Sequence, residues 1–106
     1  MNEKKKFQLD AQVKVIKAIA HQTRLFIVNE LSKQERCVCE LTKMIEADIS
    51  TVSKHLSVLK NAGIVSYEKR GPQIYYRLKI PCILSFLYCV NIIVESNAKE
   101  QLVLLK

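Results

Sequence analysis

Apolar residues in the first half of the chain recur at helical spacing. Leu9, Val13, Ile16 and Ala20 fall four, three and four apart, on one face of a first helix. A break at His21-Gln22-Thr23 separates them from Leu25, Val28 and Leu31, which predict a second helix ending near Ser32-Lys33. Leu41 and Ile45 mark a short third helix over residues 38–47. Asp48 then stands where a helix N-cap belongs, its carboxylate placed to accept from the backbone N–H of Ser50 or Thr51. The fourth helix is expected to bury Ile49, Val52, Leu56 and Leu59, and Gly63 ends it at the position that favours left-handed backbone.

After Gly63 the pattern changes to β-branched and aromatic residues. Residues 64–67 and 74–78 flank Lys69-Arg70-Gly71-Pro72-Gln73, which predicts a hairpin with a basic tip. Pro81 suits the first turn of a last helix that is apolar nearly all round, from Ile83 to Val94. One helix in so small a domain cannot be surrounded by its own chain, so a homodimer interface through the first and last helices is expected. The predicted fold is mainly α with a small β-hairpin wing: four helices, two strands and a fifth helix. This is a winged helix-turn-helix, in a single domain over residues 1–106.

Length and composition agree with one globular domain, since 106 residues with 49% hydrophobic and 25% charged side chains leave no room for a separate catalytic domain. The net charge of +7 calls for a polyanionic partner. The polar face of the fourth helix carries Ser50, Thr51, Ser53, Lys54, His55, Ser57 and Lys60, and no acid lies between Asp48 and Glu68. Such a face alone is ordinarily just solvated. Placed in a helix-turn-helix it becomes a recognition helix whose hydroxyls and amines reach base edges and phosphates, with Lys69 and Arg70 of the wing reaching the flanking backbone or minor groove. Double-stranded operator DNA is the expected partner.

The run Met1 to Lys6 has the charge of a signal peptide's first region but no apolar run behind it, and residues 82–94 are interrupted by Ser85 and Asn91. That stretch falls short of the ~20 apolar residues of a membrane span. The expectation is a cytoplasmic chain without a membrane partner, with Lys4, Lys5 and Lys6 as a frayed, solvated end. Thiols are kept reduced there, so the cysteines at 37, 39, 82 and 89 are expected to be reactive or metal-binding rather than structural. With no Cys-x-x-Cys motif and no base beside either pair, an enzyme is not expected, nor an organic cofactor.

Ala20-His21-Gln22-Thr23-Arg24-Leu25, Cys37-Val38-Cys39-Glu40-Leu41, Ser50-Thr51-Val52-Ser53-Lys54-His55-Leu56, Leu59-Lys60-Asn61-Ala62-Gly63-Ile64-Val65 and Tyr75-Tyr76-Arg77-Leu78 resemble, in order, the arsenic-repressor (ArsR/SmtB) family over residues 10–95. The resemblance implies a homodimeric repressor that leaves its operator when an inducer binds, and Cys37 and Cys39 match the family's thiol pair. Two thiolates are soft ligands that select arsenite, antimonite, or a soft or borderline cation such as cadmium, lead or zinc. Arg36 and the helix N-terminus are expected to lower the thiol pKa values. On a regular helix residues i and i+2 point about 200° apart, so gripping one ion is expected to distort the helix start and displace the recognition helix.

Departures from the family pattern narrow the inducer. Thr42 stands where arsenite sensors often carry a third cysteine, no cysteine precedes residue 37, and neither His21 nor His55 lies on the last helix where the zinc sensors bind. His21 is expected to cap a helix, and His55 to pack or lie near DNA. Cys82 and Cys89 are seven apart, roughly 10 Å of helical rise, too far to bridge each other. They are read as small buried hydrophobes at the dimer seam, or as the third thiol or redox partner of the 37/39 pair. The leading expectation is induction by arsenite, antimonite or another soft metal ion. The alternative is a repressor responsive to oxidant or reactive sulfur, using a cysteine of that pair with Cys82 or Cys89.

Overall fold

Asn2 accepts from the backbone N–H of Lys5 at 2.8 Å and so starts α1 (Glu3–Ile19) six residues before the first periodic leucine. The structure, a computed structural model, describes residues 1–105. Lys4, Lys5 and Lys6 lie in the first turns of that helix and are exposed, where fraying was expected. The cap is the reason: it satisfies one of the free N–H groups that otherwise open a helix end. His21 Nδ1 accepts from the N–H of Thr23 and caps α2 (Gln22–Lys33), as expected for a histidine at that point.

The next element was not expected. Arg36–Cys37 form a strand, β1, before α3 (Val38–Ile45) begins. Asp48 Oδ1 accepts from the N–H of Thr51 at 2.7 Å and starts α4 (Ile49–Asn61). The chain leaves α4 through Gly63 at φ +81, with the N–H of Gly63 donating to Lys60 and that of Ile64 to Leu59. That pair of bonds is the Schellman arrangement, which closes the last carbonyls of a helix. β2 (Val65–Arg70) and β3 (Gln73–Leu78) form the wing, joined at Gly71, whose φ of +60 suits the first position of a tight hairpin turn. The sheet order is β1-β3-β2, all antiparallel, with Arg36 opposite Tyr76 and Cys37 opposite Tyr75.

The core sits between α2, α3, α4 and the sheet, where Ile27, Val28, Leu41, Val52, Leu56, Leu59 and Val65 are fully buried. Ile49, expected among them, is 60% exposed. It occupies the first turn of α4, beyond the packed stretch, and borders a cleft under the wing. Pro81 lies in a turn just ahead of α5 (Ile83–Leu104) rather than in its first turn, and Cys82 takes the N-cap position without a side-chain bond. No residue of α5 is fully buried: Ile83, Leu84 and Leu87 pack against the core, while Phe86, Ile92, Ile93 and Val94 face outward. No helix among the described residues is long and apolar enough to cross a membrane.

Candidate functional site

Cys37 stands at the change from strand to helix, and this position decides what the thiol pair can do. Its backbone is extended, at φ −80 and ψ 161, while Cys39 lies in the first turn of α3. The 200° separation expected for two helical residues therefore does not arise, because Cys37 is not helical. The two Sγ atoms are in disulfide contact, with Cα atoms 5.4 Å apart, inside the range that a bridge spans. The pair closes without unwinding α3, so a disulfide here needs none of the distortion that gripping an ion is expected to cause. Cys37 is 3% exposed and Cys39 is exposed.

The same junction is a capping box. Cys37 Sγ accepts from the N–H of Glu40 at 3.4 Å, and Glu40 Oε1 accepts from the N–H of Cys37 at 3.1 Å. The first turn of α3 thus offers a donor to the Cys37 sulfur, whereas Arg36 turns elsewhere. Its guanidinium meets Glu30 at 3.4 Å and Glu40 at 3.3 Å, so two carboxylates rather than the thiols receive its charge. Cys39 Sγ, bridged to Cys37, lies 3.3 Å from Gln73 Oε1, and only with the bridge open does it carry a proton to donate there. A cleft of about 170 Å³ opens there, shared by Cys39, Ile49 and Ser53 of α4, and Pro72 and Gln73 of the wing. The thiol pair, α4 and the wing therefore border one cleft.

Along α4, Ser50, Thr51, Ser53, Lys54, Ser57 and Lys60 are all exposed on one side, while Val52, Leu56 and Leu59 are buried on the other. Hydrogen bonds from the Thr51 backbone and the Thr51 and Ser50 hydroxyls hold the Asp48 carboxyl below its ordinary pKa. Lys60 Nζ rests 4.4 Å from the Tyr67 ring centre of β2, which joins the end of the recognition helix to the wing. His55 faces inward. Arg24 Nη1 donates to its Nδ1 at 3.0 Å, Arg24 Nε donates to the Ala18 carbonyl at 2.6 Å, and the His21 ring lies 4.5 Å away between centres. Desolvation, then the charges of His21 and Arg24, push the His55 pKa down. This is packing of the kind expected as one of its two roles.

At the wing tip Lys69 is exposed, whereas Arg70 is engaged by Glu35 and Glu68. Those bonds raise the Arg70 pKa and lower that of Glu35. Cys82 borders a groove of about 450 Å³ between α1 and α5, beside Ile16, Ile19 and Phe86, and Cys89 is exposed on α5. The structure brings Cys37 together with Cys39 rather than with either of them. Among the described residues no group of three His, Cys, Asp or Glu side chains converges as metal ligands do. Sequence pattern assigns Glu35, Glu40, Gln73 and Tyr75 no individual role at this site. Only Glu40 carried a readable signal there, an acid three residues after a capping side chain. The others come into place through the β1–β3 register.

The family model described as bacterial regulatory protein, arsR family, matches residues 21–67. The chain is 46% identical over 66 residues to a cadmium resistance transcriptional regulatory protein CadC homolog of Staphylococcus aureus, covering 61% of this chain and 54% of that protein. It is 38% identical over 79 residues to the arsenical resistance operon repressor of Bacillus subtilis (strain 168), covering 74% and 75%. It thus spans about half the length of the first relative and three quarters of the second. Among solved structures, the homodimeric winged helix-turn-helix DNA-binding domain of a Mycobacterium bovis protein superposes with a TM-score of 0.80 at 26% identity, over 94% of this chain and 93% of that one. With the helix order, the wing and the thiol pair in place, the chain belongs to the ArsR/SmtB family of winged helix-turn-helix regulators.

Proposed function

We propose that the chain is a homodimeric, operator-binding repressor whose hold on DNA is set by whether Cys37 and Cys39 are open thiols or closed on each other. The observation that carries this reading is the strand-to-helix junction, which holds the two sulfurs in contact beside the recognition helix and the wing. With a peroxide as oxidant the chemistry balances. The exposed Cys39 gives up its thiol proton and its sulfur attacks a peroxide oxygen; the O–O bond breaks, and hydroxide leaves with that proton as the first water. The Cys37 sulfur then attacks the sulfenic sulfur, the S–O bond breaks, and the hydroxyl leaves with the Cys37 proton as the second water. Two thiols and one hydrogen peroxide give a disulfide and two waters.

Opening the pair gives Cys39 a thiol proton that Gln73 Oε1, 3.3 Å from the sulfur, accepts, and closing it removes that proton. Because α3 packs on α4 and borders the wing, the change reaches both DNA-contacting elements, and thiol state and operator affinity are negatively coupled. Ser50, Thr51, Ser53, Lys54, Ser57 and Lys60 of α4 and Lys69 and Arg70 of the wing make the operator contacts. A cytoplasmic setting, where thiols rest reduced, gives the switch its open ground state.

Dimerisation through α1 and α5 is supported by apolar side chains left uncovered on both: Val13 and Ile16 on α1, and Phe86, Ile92 and Ile93 on α5. A second reading keeps the same pair as ligands of arsenite or antimonite. The likeness to the Bacillus arsenical resistance repressor favours it, and two soft sulfurs this close fit one thiophilic ion. Hydroxide would then fill the third position.

Fluorescence anisotropy of the reduced dimer on DNA from upstream of its own coding region separates the two. Release by peroxide, reversed by dithiothreitol and absent in Cys37→Ser and Cys39→Ser, is the expected result. Release by arsenite alone moves the answer to the second reading. Release by neither overturns both.

A further inference from the structure

Arg70, the wing residue placed to meet DNA, already has a carboxylate partner from elsewhere in the chain. Its Nη1 and Nη2 donate to the two carboxylate oxygens of Glu35 at 2.6 and 3.1 Å. This two-pronged contact is the geometry a guanidinium also offers a phosphate. Glu35 lies on the segment between α2 and β1, two residues before Cys37. Tyr75, the register partner of Cys37, lies under the same guanidinium, with its ring centre at 4.7 Å. Arg70 is opposite Gln73, and Gln73 faces Cys39. The hairpin tip thus meets the thiol-bearing segment on both sides of Cys37, through the Glu35–Arg70 ion pair and through the contact of Cys39 Sγ with Gln73 Oε1.

We infer that Glu35 is an internal competitor for operator phosphate, holding Arg70 out of DNA contact in the form whose thiol pair is closed. The inference rests on the operator binding and thiol switch proposed above. Glu35 and Cys37 belong to one short segment, so a change at the sulfurs moves the carboxylate that occupies Arg70. Glu68 is the weaker rival. It accepts one bond from Arg70 at 2.9 Å, sits on the same strand and moves with it, and also lies 3.6 Å from Arg77.

The test is the salt dependence of operator affinity, measured for reduced and peroxide-treated dimer. It compares wild type, Glu35→Gln, Glu68→Gln, Arg70→Gln and the Glu35→Gln/Arg70→Gln double variant, with circular dichroism as the check on folding. Each phosphate neutralised adds about 0.9 to the slope of log affinity against log salt. Glu35→Gln is expected to steepen the slope of the oxidised form by up to about 2 per dimer, one phosphate for each protomer. It is also expected to shrink the affinity ratio between reduced and oxidised forms. The double variant returns the slope to that of Arg70→Gln, and Glu68→Gln leaves the ratio as in wild type.

An unchanged slope in Glu35→Gln overturns the inference. So does a steeper slope that survives in the double variant, because the gain then comes from the lost acid and not from Arg70. If peroxide leaves wild-type affinity unaltered, the thiol switch fails, and with it the dependence of this contact on thiol state. The slopes of the reduced variants still decide whether Glu35 competes for Arg70.

Discussion

Cys37 is both a helix cap and half of the thiol pair, and its two roles separate by substitution. Serine keeps a capping acceptor in place of the sulfur, whereas alanine removes it and leaves the N–H of Glu40 unpaired. Cys37→Ala is expected to cost about 1 kcal/mol of folding stability and Cys37→Ser less than half of that, read from urea denaturation, while both abolish the peroxide response. His55 makes a pH prediction. Burial first, and then His21 and Arg24, hold its pKa below 6.5, so the fold favours the neutral ring. The unfolded chain therefore takes up the proton first as pH falls, and the stability tied to the neutral ring is complete above 6.5 and declines below it. Urea midpoints at about pH 5.5 and about pH 7.5 are expected to differ less in His55→Gln than in wild type; an equal difference in both contradicts this role. The pairing of two soft sulfurs at Cys37 and Cys39 was legible from residue type and spacing. Their mutual reach was not, because it depends on one residue being extended where a helix was assumed.

At the scale of elements, the recognition helix was the most legible part of the chain: an acidic cap, a buried stripe and a closing glycine each leave a local mark. Gly63 sits at φ +81 with nothing within 4 Å of where a Cβ would stand, so a substitution there tests backbone conformation alone. Gly63→Ala is expected to lower stability by about 1 kcal/mol, measured by denaturation, and no effect would mean the turn relaxes to another conformation. Leu56 is fully buried between α4 and the core, and Leu56→Ala is expected to cost about 3 kcal/mol with loss of operator binding. β1 left no such mark. A strand of two residues shows no alternation, and its partner is a wing strand about forty positions later. That unread pairing sets Cys37 opposite Tyr75 and brings the segment carrying Glu35 and Cys39 against the wing, so the contacts between the thiol pair's segment and the wing lie outside what local pattern conveys.

The whole molecule is too extended for a self-contained chain of its length. Its radius of gyration is 16.8 Å, against roughly 13 Å for a compact domain of about 100 residues. Both α1, buried only at Ala18 and Ile19, and α5, with no buried residue, leave apolar side chains without cover within one chain, in agreement with an interface through the first and last helices. Ile93→Glu is expected to shift sedimentation from dimer to monomer and to lower operator affinity at least tenfold, because the two recognition helices then bind as separate units. A variant that stays dimeric would place the interface elsewhere. The proposed switch at residues 37 to 39 is release of DNA on closure of that pair. It is tested most directly by treating the operator complex with enough peroxide to release about half, separating bound from free protein on a native gel, and mapping the disulfides of each fraction. A Cys37–Cys39 bridge is expected in the free fraction and reduced thiols in the bound one. Equal bridging in both fractions, or a bridge to Cys82 or Cys89 in the released protein, would contradict it.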